Sequence, residues 1–182
     1  MGLISRIKEL FSAQKYIFTA MAEMDRQNAA YAAMSLEELA ALSDDELISA
    51  LLYRTDKALD TLLGKKKKGT PADWSTHLTG APRIAFILSY FESDIQTYGL
   101  EHFFKRNGGL ACHVTDCLDV IGAVQHKQLC QDFFSAHGYQ SGFAKIPEHQ
   151  GALLAFDNAY RALSPLEPIL APYLREHLAE FS

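Results

Sequence analysis

At 182 residues, with 48% of its side chains apolar, the chain is long enough to bury one core without disulfides or metal, and nothing in its length calls for a second. The formal net charge is -5 and unevenly placed: residues 1–68 hold ten basic and ten acidic side chains, residues 69–182 seven and twelve. That balance argues against direct binding of nucleic acid, which needs enough Lys and Arg to displace counterions from phosphates. Cys112, Cys117 and Cys130 are an odd number in a chain that needs no staples, which points to a reducing compartment. Between Met1 and Met21, Arg6, Lys8, Glu9 and Lys15 interrupt the apolar residues, so neither a signal-peptide core nor a membrane span is expected. The expected location is the cytoplasm, with no membrane partner.

Leu3, Ile7, Leu10, Phe11, Phe18 and Met21 recur at helical spacing, so the first thirty or so residues read as one long helix or two in tandem. That stripe is expected to pack on the body or on a second subunit. Ser43 followed by Glu46 is a capping box that opens the next helix, continued by Leu47, Ile48, Leu51, Leu52, Leu59 and Leu62. Four consecutive lysines, Lys65 to Lys68, stand between Gly64 and Gly69 with Pro71 close behind, the composition of a solvated surface loop. This loop sets the expected boundary between an N-terminal helical extension with its basic loop, 1–68, and a helical domain, 69–182.

Beyond it, Pro82 suits the first turn of a helix whose buried stripe is Ile84, Ile87, Leu88, Phe91 and Ile95, stopped at Gly99. Short helices follow over 100–106, 114–121 and 127–136. Residues 139–146 read as a loop, and Pro147 as a helix start. Two helices close the chain, with Leu153, Leu154, Phe156, Ala159 and Tyr160 facing inward on one and Leu166, Ile169, Leu170, Tyr173, Leu174 and Leu178 on the other. No alternating run of strand length occurs, so the expected fold is all-α, a single helical domain of about seven to nine helices with the N-terminal extension.

His113 with Cys117 and His126 with Cys130 each fall four apart, which could offer zinc four ligands. Both cysteines, however, lie in register with apolar neighbours and read as small core residues, so no metal and no other cofactor is expected. Glu92 and Asp94 are two apart on a helix and point to different sides, which argues against a carboxylate pair for acid-base catalysis. Asp94, just ahead of a glycine turn, is placed to accept backbone amides and fix that turn, and His102 could bond to the same turn. Glu37, Glu38, Asp44, Asp45, Asp56 and Asp60 are the candidate partner-binding carboxylates, Asp56 and Asp60 sharing one face at i, i+4. Helix dipoles account for most of the acids between Glu37 and Glu46.

Residues Asp94 to Phe104 (DIQTYGLEHFF) resemble the first signature of the DNA-mimic protein (DMP-like) family, an acid ahead of a glycine turn and then an aromatic-Phe helix. The stretch from Leu118 through Gly122 to Ala123 resembles its second motif, and Phe156 to Tyr160 (FDNAY) the Asp and Tyr helix after it. The resemblance covers roughly residues 84–181. Asp94, Gly99, Phe103, Phe104, Gly122 and Ala123 are retained, while Thr97-Tyr98, His102 and Arg106 depart from the family's Asn-Gly, Gln and Asn. It implies an all-helical fold in which Asp94, Gly99, His102, Phe103, Phe104 and Gly122 form a structural motif. For the member that names the family it implies an acidic dimer whose carboxylates imitate DNA phosphates and occupy a transcription factor. The expected function is accordingly a non-enzymatic module for a basic protein partner. The alternatives are an immunity or antitoxin-type neutralising protein and an enzyme with a site around Asp94, His102 and Glu92.

Overall fold

A computed structural model describes residues 21–137 and 150–182. The apolar pattern from Leu3 to Phe18, the 139–146 loop and the start at Pro147 lie outside the described residues. Within them the chain is all-α, with no β-strand. Residues 21–33 are helical (α1). Leu36–Ala40 (α2) and Asp44–Leu63 (α3) each open on a capping box, Ser35 with Glu38 and Ser43 with Glu46. Thr70 and Asp73 make a third at Pro71–Ser75 (α4).

Gly80–Thr97 (α5) is the central helix. Ala81, Ala85, Phe86, Ile87, Leu88, Phe91 and Ile95 are all buried, wider than one amphipathic stripe, because α3, Leu100–Asn107 (α6), Ala111–Val120 (α7), Gln150–Arg161 (α9) and Glu167–Glu176 (α10) all pack against it. A 3-10 turn, Gly108–Leu110, joins α6 to α7, and Val124–His137 (α8) folds back along α7. That reversal runs through Gly122 at φ 73°, a left-handed conformation that glycine adopts without penalty. The chain closes with a second 3-10 turn, Leu178–Phe181, whose Glu180 carboxylate accepts the Ala81 amide at 2.8 Å and so caps α5 from 99 residues away.

One cluster holds Leu39, Leu47, Leu51 and Leu59 together with Phe91, Phe103, Phe156 and Leu174, so the helices before residue 68 share the core of those after it. Two arginines tie the N-terminal helices down. Arg54 on α3 donates to the Tyr31 and Met34 carbonyls at the end of α1, and Arg175 on α10 donates to the Ala40 and Leu42 carbonyls at the end of α2.

Two inward-facing expectations fail: Leu154 is 60% exposed and Ala159 is exposed, because each lies at the edge of its helix's apolar arc; Leu62 continues α3 as expected but is 64% exposed. The lysine loop also differs from a wholly solvated one. Lys65, Lys66 and Lys68 are exposed, but the Lys67 side chain is only 11% exposed, lying over the Trp74 ring and bridging Asp56 and Asp60. No helix among the described residues is long and apolar enough to cross a membrane.

Candidate functional site

The junction between α5 and α6 brings the motif residues together. Gly99 sits at φ 90°, and a Cβ there would lie 2.3 Å from the Asp157 carboxylate, so both conformation and space demand glycine. Asp157, on α9, accepts the Leu100 amide at 2.8 Å and caps α6 in place of a side chain from the junction itself. Burial raises the Asp157 pKa against the pull of that amide and of Arg161. Arg161, one turn further on, donates to the Ile95 carbonyl at 2.7 Å.

Asp94 is buried, and each of its carboxylate oxygens has one donor: His102 Nδ1 at 3.0 Å and Asn107 Nδ2 at 2.6 Å. The amides of the turn, Tyr98 and Gly99, bond instead to the Asp94 backbone carbonyl, both at 2.8 Å. The acid thus fixes the turn by gripping α6 rather than by accepting its backbone, and the amide-binding role belongs to Asp157. His102 is half-buried, and the exposed ring of Tyr98 lies across it with centroids 4.4 Å apart. Phe103 and Phe104 are buried, Phe103 edge-on to Phe91 at 5.0 Å.

A second polar layer lies on the other side of α5. The Tyr160 hydroxyl donates to Glu92, which also accepts from Gln96 at 3.2 Å. Burial and the Glu92 carboxylate together drive the Tyr160 pKa far up, so it stays a donor. His126, 2% exposed, stands edge-on to Tyr160 with its Nδ1 unpaired among the described residues. Burial lowers the His126 pKa, opposed by Glu92 and Ser164.

The His and Cys pairs do not converge. His113 Nε2 accepts from Arg83 at 3.2 Å, and burial with this guanidinium lowers its pKa. Cys117 and Cys130 are buried core residues, as the register suggests; burial pushes the Cys117 thiol to about 11 and Cys130 higher still. All three cysteines are free, and no group of three or more His, Cys, Asp or Glu among the described residues is arranged for a metal.

The candidate partner-binding carboxylates are distributed unequally. Asp56 and Asp60 both hold Lys67, whose burial works against its charge but whose bonds to the two acids leave its pKa raised. Asp44 holds Arg175 at 2.6 Å. Glu38 caps α2, and its bonds to Ser35 lower its pKa. Glu37 and Asp45 are exposed and meet no cation among the described residues.

Asn107, Asp157, Tyr160 and Lys67 were not singled out as site residues from the chain alone. Asp157 and Tyr160 fall three apart inside the third motif, on one helix face, and that spacing was the available signal. Asn107 directly follows Arg106, where the family's pattern has its Asn, and supplies the buried amide one position on.

The described residues thus form an all-helical scaffold in which an acid-amide-imidazole cluster locks the junction at Gly99. Residues 76–177 match the model of the DMP19-like protein family, more than half of the chain, and the protein belongs to that family. No curated protein and no solved structure matches it.

Proposed function

We propose that the protein is a non-enzymatic module that binds a basic protein partner, with imitation of DNA phosphates toward a DNA-binding protein such as a transcription factor as its sharpest form, acting in the cytoplasm as a dimer. Family membership is the observation that carries this reading. The excess of acids over bases in residues 69–182 supports it, since exposed carboxylates without cations set up the field that steers a basic partner. Glu37, Asp45 and Glu167 are the exposed carboxylates this reading favours, because Asp44, Asp56 and Asp60 spend their charge on cations of the same chain.

The test is to pass an extract of the native host over the immobilised protein and elute with rising salt. Basic proteins released by salt are the expected result; recovery of neutral or acidic proteins alone contradicts the reading.

A second reading, an enzyme at Asp94 and His102, is favoured by the 3.0 Å hydrogen bond that fixes the imidazole. Against it, the second Asp94 oxygen is committed to Asn107, and neither residue lines the grooves among the described residues at α7 and α8, at the C-terminus, or between α3, α5 and α10. His102→Gln, which restores the family's residue, keeps partner binding on the first reading.

A further inference from the structure

Between the start of α3, the middle of α5 and the start of α10 lies a groove of about 220 Å³. The buried Leu88, Leu166 and Leu170 form its apolar floor, and Asp45, Glu92 and Glu167 stand at its rim with Ser89 and Ser93. The three charged residues of the lining are all acidic, and none of them meets a cation among the described residues. Two other grooves carry a cation in their linings: Lys127, paired with Asp119 at 2.7 Å, in the one between α7 and α8, and Arg54 in the one beside the C-terminus.

We propose that the α3-α5-α10 groove docks a basic segment of a protein partner, seating one aliphatic or aromatic side chain on Leu88, Leu166 and Leu170 while flanking Lys or Arg meet Asp45, Glu92 and Glu167. This rests on the reading of the protein as a binder of a basic partner and gives that partner a local chemistry. Charge alone would accept any basic surface; the apolar floor adds a requirement for a side chain that gains from leaving water. Glu92 sharpens the electrostatic part. It is half-buried, anchored by Tyr160 and Gln96, and a cation placed on it is screened less than one on a fully solvated acid. Asp45 and Glu167 stand in the first turns of α3 and α10, held there by the helix dipoles without being neutralised.

The full chain, labelled with 15N, would be titrated with two amidated peptides, Lys-Arg-Leu-Arg-Lys and its counterpart with Ala at the centre. The leucine peptide is expected to bind about fivefold or more tighter and to shift the amides of Ser89, Ser93 and Leu166, since one buried side chain separates the two. Ser89→Leu, which fills the groove without changing its acids, should abolish the difference, and Ser93→Leu serves the same purpose if the first variant unfolds. Asp45→Lys with Glu167→Lys should weaken both peptides about tenfold or more. Equal affinities, shifts centred on another face, or a difference that survives the filled groove would overturn the proposal. Those results leave the broader reading standing if a host partner is retained by wild type and by Ser89→Leu alike; absence of any basic partner removes the broader reading instead.

Discussion

Asp94 is buried with one donor on each oxygen, and the two donors differ in what their loss would do. His102 is half-buried, so water can replace it. Asn107 is 9% exposed, and removing its amide strands a buried carboxylate oxygen. Asn107→Ala is therefore expected to destabilise the protein by about 1–3 kcal/mol in urea denaturation, and His102→Ala by distinctly less. Equal losses would contradict this account of the junction. His126 sets a pH dependence. Its folded pKa is lowered by burial, so the unfolded chain takes up the proton first; the stability that neutral His126 contributes is complete above about 6.5 and is lost as pH falls through the window below it. His113 adds a slope of the same sign. The predicted result is a stability that declines on acidification from pH 7.5 to 5.5, with a shallower decline in His126→Phe. At this scale the sequence revealed what local chemistry decides: Gly99 at the helix stop, the Ser43 cap, the core cysteines. It concealed the roles of Asn107 and Asp157, because their partners lie 13 and 57 residues away; the spacing of Asp157 and Tyr160 marks a shared helix face but not what that face meets.

Among the elements, α3 shows how a charge pattern misleads when read alone. Asp56 and Asp60 share a face, as i, i+4 spacing requires, but Lys67 folds back over that face and Trp74 lies beneath it. Their charge reversal to Asp56→Lys and Asp60→Lys sets three cations together. A loss of about 1–2 kcal/mol in thermal unfolding is predicted, shrinking at high salt. An unchanged melting temperature would mean that the bridge contributes nothing. Four lysines between glycines gave no cue that one of them was held, because composition reports solvation on average and not which side chain finds a tertiary partner. The apolar periods of α3 and α9 located both helices, yet Leu62 and Leu154 lie exposed: periodicity fixes the direction of a stripe, and its width depends on which neighbours arrive.

For the molecule as a whole, the helical class followed from periodicity and caps, while the way the helices share a core did not. Leu47, Leu51 and Leu59 of α3 pack in the cluster that holds α5 and α10, and Arg54 and Arg175 bind α1 and α2 to it. A fragment of residues 69–182 is therefore predicted to keep helical far-UV circular dichroism but to lose near-UV signal and bind a hydrophobic dye; native-like near-UV signal would contradict the shared core. The proposed function belongs to this scale too, since family membership and the net charge of -5 are properties of the whole chain. The most direct test of the central claim is competition: a host protein retained on the immobilised chain is challenged with duplex DNA at fixed ionic strength, and its affinity is followed as salt is raised. The account predicts a basic partner that duplex DNA displaces and whose binding weakens with salt. A retained partner indifferent to DNA, and held equally or more tightly as salt rises, would contradict it.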